Sequence, residues 1–349
     1  MQTASRTWHA WRVSQSHQSW LDLVHEDVIE PGLPIVDPHH HLWDFREARG
    51  FQPRYLVEDL REDTSSGHNI EKTVFIECQW MYRDSGPEHL RCIGETERVA
   101  VAAAQTRAEA GPPIAAIISS CDLRLDAVRL GEVLEAHEDA GGGLFRGIRH
   151  RLAHDPTGGA NLGRGSSPED LMGSPAFRTG VAELGRRGHS FEAWLYHLQL
   201  PSLLHLAAVA PETTIVLNHI GAPLGVGVWA SRRAEVEQEW RESMAAIAKH
   251  DNVVLKLGGI GMDIYGMGWE GNDRPPTSDE IAAAYGDKFR FMIDQFGPQR
   301  CMFESNFPVD KMSFSYHVWW NAAKKMSADL SPAERDALFR TTASRVYRL

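Results

Sequence analysis

Short apolar runs recur along the chain, separated by longer segments whose apolar positions fall three and four residues apart. The runs are 34–36, 73–76, 114–118, 144–148, 190–195, 214–217, 253–257 and 301–303. Most are rich in Val, Ile, Leu and Phe and all are too short for helices, so they read as strands buried on both faces. The segments 88–110, 127–140, 175–187, 200–210, 231–250 and 278–296 carry the helical period. Eight strands alternating with helices predict an α/β fold, the (β/α)8 or TIM barrel. A doubly wound open sheet would give the same alternation. The barrel is favoured because unusual polar residues repeatedly follow the C-terminal ends of the runs, where a barrel gathers its chemistry. Strand starts lie 30 to 48 residues apart, except for the fifth and sixth, which are 24 apart and leave room for one short helix. No repeat or low-complexity linker marks a second domain. The expected organisation is an N-terminal extension over 1–32 and one barrel domain over 33–349.

Composition narrows the partners. With 349 residues, 42% of them hydrophobic, the chain can bury a large core, and a net charge of -11 argues against a nucleic acid or an anionic membrane. A small-molecule substrate fits better. Cys78, Cys92, Cys121 and Cys301 show no CxxC spacing and read as reduced thiols. The extension carries Trp8, Trp11 and Trp20 without a continuous apolar stretch, and no run of 18 apolar residues occurs. A cytoplasmic location is expected, and the tryptophans offer a surface for a neighbouring subunit, so a homo-oligomer is one option.

The first run leads into Asp37-Pro38-His39-His40-His41. Alternation along a strand puts Asp37, His39 and His41 on one face and His40 on the other, and two imidazoles on one face can share an ion. Glu77 ends the second run, where a buried carboxylate needs a cation or donors. The fourth contains Arg149 and Arg151, and a guanidinium at a strand end can hold a carboxylate or polarise a carbonyl. Tyr196-His197 follows the fifth run and His219 the sixth, just before Gly221 and Pro223. In the eighth, Glu304 and Asn306 share a face; Asn306 can orient a water but cannot take its proton, whereas Asp310, four residues on, can. Gly158 to Gly165 reads as a loop that could cover a site, and 258–276 as a second long loop with apolar residues.

Four segments in order, Ile35 to Asp44, Phe145 to Arg149, Val216 to Pro223 and Met302 to Val309, resemble the amidohydrolase superfamily. The resemblance spans roughly 33–349 and is to its amidohydrolase 2 branch of TIM-barrel hydrolases, which includes sugar-lactone and pyrone-lactone hydrolases. It implies that histidines of the first and sixth strands line the reaction centre, and that an aspartate on the eighth ligates metal or acts as base. His39, His41 and His219 match, but Asn306 stands where that aspartate is expected, removing a charge and a base. The implied activity is hydrolysis of a lactone or related carbonyl bond. A divalent ion, with Zn2+ suited to imidazoles, would be held by His39 and His41 with Glu77 or His219. Asp310, Glu77 or a histidine would take the proton, Arg149 would support the oxyanion, and Arg151, Tyr196 and His197 would contact substrate. Without a metal, His219 and Arg149 would polarise the carbonyl, as the family's metal-independent lactonases suggest. A decarboxylase of unsaturated or aromatic acids is the alternative, and a barrel that binds without turnover a third.

Overall fold

All eight apolar runs form strands of one parallel sheet in the computed structural model, which describes residues 15–44, 54–160 and 167–349. The strands are β1 (Pro34–His40), β4 (Asn69–Ile76), β5 (Ile114–Ser119), β6 (Phe145–Arg151), β7 (Ser190–Trp194), β8 (Ile215–Leu217), β9 (Val253–Leu257) and β10 (Cys301–Phe303), hydrogen-bonded in that order. A two-residue ribbon, β2 (Trp43–Asp44) with β3 (Arg54–Tyr55), stands apart. The first and last strands meet through a parallel bridge between His40 and Phe307. There the His41 N–H donates to Phe307 O at 2.8 Å and the Asn306 N–H to His39 O at 2.9 Å. This is the (β/α)8 barrel.

The helical segments fall where the period places them. They are α3 (Ile93–Ala108), α4 (Ala127–Ala140), α5 (Pro175–Arg186), α6 (Leu200–Val209), α7 (Arg233–Ile247) and α8 (Ser278–Phe296). The region 88–110 opens with a separate short turn at Glu88–Leu90. Helix α8 shows why its bounds were legible. The Thr277 hydroxyl accepts from the Glu280 N–H, the Glu280 carboxylate accepts from the Thr277 N–H, and Gly297 follows the last turn at φ 78°. Further helices are α1 (Gln15–Leu21), α2 (Val57–Thr64), α9 (Tyr316–Met326), α10 (Pro332–Asp336) and α11 (Thr342–Tyr347). Among the described residues no helix is long and apolar enough to cross a membrane.

Two apolar layers sandwich the strands. Ile35, Phe191, Leu217, Leu255 and Phe303 face outward onto the helices. Val36, Val74, Ile118, Val216, Val254 and Met302 fill the barrel, closed below by Ala343 and Tyr347 of α11. Above this plug the interior turns polar. Glu192 and Lys256, both fully buried, pair at 2.8 Å. The Tyr347 hydroxyl donates to Glu192 Oε1 at 2.5 Å, and Asn218 Nδ2 donates to its Oε2 at 2.8 Å. A carboxylate sealed in a barrel persists only with such partners.

One irregularity decides which histidines enter the barrel. Val36 points inward, so unbroken alternation would send Pro38 and His40 inward as well. The pairing of β1 with β4 shifts register between Asp37 and His40, and the extra residue turns His39 and His41 inside instead. His40 packs edge-on against the outward Phe75. Asp37 does not share their face, as alternation suggested. It accepts from the Ser305 N–H and hydroxyl, at 3.0 and 2.6 Å, and from Tyr316 OH at 3.0 Å, tying β1 to β10 and α9.

The described part of the N-terminal segment is strapped to its own chain. Trp20 Nε1 donates to Asn272 O, Glu26 accepts from Ser278 and Asn321, and Lys324 Nζ donates to the carbonyls of Ile29 and Glu30. Trp8 and Trp11 lie outside the described residues. All four cysteines are free thiols. The Tyr347→Phe variant leaves Glu192 Oε1 without a donor and is expected to cost about 1–3 kcal/mol, read as a lower urea midpoint at unchanged slope.

Candidate active site

Five of the expected residues converge at the C-terminal mouth of the barrel: His39, His41, Glu77, Arg149 and His219, every one buried. His39 and His41 face each other through their Nε2 atoms at 3.2 Å. His41 Nδ1 donates to the carbonyl of Ile76 at 2.8 Å. The ring of His39 lies 4.5 Å from that of His219. Glu304, fully buried on the turn after β10, stands beneath both: Oε1 is 2.7 Å from His219 Nδ1 and Oε2 is 2.6 Å from His39 Nδ1. Lys256 Nζ approaches His39 Nδ1 at 3.3 Å from the other side. Trp43 stacks on His41 and Trp194 meets His219 edge-on, walling the group.

Burial holds all three imidazoles in the neutral form. His39 and His41 titrate well below the ordinary histidine range, first through loss of solvent and then through nearby cations, Lys256 for His39 and Arg149 for His41. His219 is lowered too, against the opposing pull of Glu304. Neutral imidazole is the form that binds metals and accepts protons.

Arg149 uses most of its fork on one partner. Nε donates to Glu77 Oε1 at 2.7 Å and Nη2 to the Glu77 carbonyl, leaving Nη1 3.4 Å from His39 Nε2. Glu77, expected as a metal ligand, is thus the counter-ion of Arg149. Its bend is held by Glu95, whose Oε1 accepts from the N–H groups of Cys78 and Trp80 at 2.9 and 2.8 Å. Burial, then the charge of Glu77, pushes the Glu95 carboxyl up to about 8.

The eighth-strand residues behave as a pair. Asn306 Nδ2 donates to Asp310 Oδ1 at 2.7 Å, and Asp310 Oδ2 accepts from the Gly261 N–H at 2.8 Å. With both oxygens engaged and burial raising its carboxyl well above the usual range, Asp310 anchors the loop after β9 rather than serving as a free base. Tyr196 and His197 do not reach the cluster as substrate contacts. Tyr196 OH donates to Ala160 O, and His197 Nδ1 accepts from the Leu224 N–H while its ring meets Trp229. Both fasten loops. Arg151 lines a cleft of about 540 Å³ beside Glu77, with Gln79, Tyr82, Asp122 and Arg124 among the other walls. Most of the Gly158–Gly165 loop lies outside the described residues.

The strand exits are conformationally unusual. Gln79 and Met81 after β4, His219 and Ile220 after β8, and Asn306 after β10 all have φ between 50° and 64°, a region unfavourable for residues with a Cβ. Such strain gathers where side chains must be aimed. Two glycines permit the convergence. A Cβ on Gly258 would lie 2.2 Å from Glu304 O, and one on Gly259, at φ 69°, would lie 2.2 Å from His219 Nδ1.

Three participants escaped the sequence reading: Glu304 as partner of two histidines, and the Lys256–Glu192 pair. A signal existed for the last two, since each is a single charge inside an apolar strand, Phe191-Glu192-Ala193 and Leu255-Lys256-Leu257.

A sequence model of the amidohydrolase family matches residues 36–349. An uncharacterised protein of Sinorhizobium fredii is 30% identical over 91% of this chain and 99% of its own length. An L-fucono-1,5-lactonase of Burkholderia multivorans is 27% identical over 91% of this chain and 97% of its own. Among solved structures, an amidohydrolase from Burkholderia multivorans with bound zinc superposes with a TM-score of 0.70 at 23% identity, covering 91% of this chain and all of its own.

Two outcomes follow from the site's construction. Gly259→Ala and Gly268→Ala both impose a left-handed backbone on a Cβ, but only the first also meets an obstacle, since nothing lies within 4 Å of Gly268. Thermal unfolding should show Gly259→Ala as clearly the more destabilised, beyond the roughly 1 kcal/mol that strain alone costs. For Glu95 the folded carboxyl keeps its proton up to about pH 8, whereas the unfolded chain releases it near 4.5. Its stabilisation is therefore full below 4.5 and is lost as pH rises through 8. Glu95→Gln should gain melting temperature over the parent as pH is raised from 5 to 9; a pH-independent difference would refute the assignment.

Proposed function

We propose, from the premise that this chain belongs to the amidohydrolase family, that it hydrolyses a small polar lactone, with His219 as general base and Arg149 as oxyanion donor. The observation that carries this reading is the His219–Glu304 contact at 2.7 Å beside the histidine pair. It reproduces the logic of a base oriented by an acid. His219 Nδ1–H donates a hydrogen bond to Glu304 Oε1, so Nε2 carries the lone pair that takes a proton from water, and the buried carboxylate stabilises the imidazolium that results. Arg149 is pinned by Glu77 and keeps Nη1 toward His39. A guanidinium so fixed meets the carbonyl oxygen as it gains charge, without reorganising first. Glu77, which pins Arg149, also borders a cleft walled by Gln79, Tyr82, Asp122 and Arg124, whose polar groups suit a hydroxyl-bearing ring, consistent with the 1,5-lactone in the name of the Burkholderia multivorans relative.

Two groups of donors could face a divalent cation. His39, His219 and Glu304 lie close enough to form a candidate ligand group. However, the Glu304 contacts at 2.6 and 2.7 Å are direct, and two ligands of one ion would stand farther apart. The Nε2 atoms of His39 and His41 fit better. Zinc–nitrogen bonds of about 2.0–2.1 Å at a near-tetrahedral angle separate two nitrogens by roughly 3.3 Å, against 3.2 Å here. Protons held on Nδ1 leave both Nε2 lone pairs directed at one place. When bound, an ion there would polarise the carbonyl and acidify water. Two imidazoles with Asn306 in the aspartate's place make a weaker site than three ligands would, so the ion is expected to be readily removed.

Proton release from L-fucono-1,5-lactone and other sugar 1,5-lactones is the direct assay. His219→Asn should lower kcat by roughly 10²–10⁴-fold, and chelation should lower the rate, with zinc restoring it. Undiminished turnover in His219→Asn would remove the base assignment. Carbon dioxide from aromatic acids without lactone opening would point to a decarboxylase instead.

A further inference from the structure

Two residues contend for one nitrogen. Glu304 Oε2 lies 2.6 Å from His39 Nδ1, and Lys256 Nζ lies 3.3 Å from it. A carboxylate oxygen demands a proton on that nitrogen; an ammonium demands a lone pair. The same side chains therefore support two arrangements. With the proton on Nδ1, the His39 Nε2 lone pair faces that of His41, whose own proton Ile76 O holds on Nδ1. With the proton on Nε2, Lys256 donates to Nδ1, and His39 closes a hydrogen bond onto His41 across the 3.2 Å gap. The second state satisfies each of these nitrogens and leaves no pair of lone pairs open to a ligand.

We propose that Glu304 is the positioning residue that selects the open state, fixing the protons of His39 and His219 on Nδ1 so that their Nε2 atoms stay available. The inference rests on the hydrolase reading above. Lys256 already has a better partner in Glu192 at 2.8 Å, whereas Glu304 Oε2, 2.6 Å from His39 Nδ1, is a buried carboxylate oxygen with no hydrogen bond among the described residues. A buried carboxylate left facing a bare nitrogen at 2.6 Å would bring two lone pairs into contact, and in a low-dielectric interior that repulsion is strong. Turning an Nδ1–H onto Oε2 relieves both that contact and the unpartnered oxygen, and the bond so formed is charge-assisted. Glu304 also accounts for Asn306. The acid absent at 306 is present two positions earlier, acting from behind the histidines rather than beside the substrate. A metal-ligating imidazole is oriented by what its other nitrogen meets, and here one carboxylate orients two rings.

The test uses metal-free protein with 15N-labelled histidine, assigned with His39→Asn and His219→Asn, because two-bond nitrogen–proton couplings report which ring nitrogen is protonated. Wild type should show Nδ1–H on both His39 and His219. Glu304→Gln keeps the shape but replaces one oxygen with an amide donor. Its oxygen can still accept from His219, so only His39 should move its proton to Nε2, and zinc affinity should fall by about 10–100-fold. An Nε2–H signal for His39 in wild type overturns the proposal, as does a Glu304→Gln protein with wild-type couplings and zinc affinity. Should that variant not fold, the wild-type spectrum decides alone. Nδ1–H tautomers in a protein that opens no lactone would uphold the role of Glu304 while refuting the hydrolase reading.

Discussion

Three carboxylates and two cations are sealed in the upper barrel, and the architecture of the mouth follows from their need to neutralise one another. Glu77 is answered by Arg149 and Glu192 by Lys256, while Glu304 is left with two neutral imidazoles. An unpaired ion in such a place costs several kcal/mol, so each pairing constrains the strands that carry it. Arg149 on β6 is drawn toward Glu77 beyond β4, and Lys256 on β9 toward Glu192 on β7. These ties span non-adjacent strands and hold the barrel's cross-section at the level where the histidines meet. The one formal negative charge left at Glu304 among these five groups is the electrostatic reason for this mouth to favour a hydrogen-bond donor or a cation.

Backbone geometry delivers the side chains to that level. The register shift in β1 brings two histidines inward in place of one. Left-handed residues at the exits of β4, β8 and β10 turn the chain within a residue or two, so that the functional groups stand on the rim of the rigid barrel rather than on distal loops. Gly258 and Gly259 leave the space into which Glu304 and His219 fit. The rim is therefore built by local departures from ideal geometry on an otherwise regular barrel.

The regular part was legible in the sequence and the departures were not. Strand cores such as Thr214 to Leu217 and the capped helix at Ser278–Phe296 follow from burial and capping, which are local properties. His39, His41, His219 and Arg149, which the structure brings together, were singled out because polar residues at strand ends are conspicuous. Beyond the last strand residue, alternation ceases to state where a side chain points, and there the reading failed. Glu77 turned to Arg149, Asp310 to Asn306, and Tyr196 and His197 into their own loops. Asp37 was misplaced because a bulge leaves no mark in a hydrophobic pattern. Lys256 and Glu192 were overlooked because each was read as a polar interruption of a strand, whereas the two together, on β9 and β7, are an ion pair.

Tyr347 gives this arrangement an order in time. It supplies the hydroxyl that binds Glu192, which holds Lys256, which borders His39. Ribosomal synthesis runs from the N-terminus, so the histidines of β1 emerge about three hundred residues before the tyrosine that completes their support. During that interval the nascent barrel has an open floor and a carboxylate short of one donor. The site thus joins side chains made far apart in time, from the histidines of β1 through Arg149 and His219 to Glu304, and its support is completed only after all of them have been made.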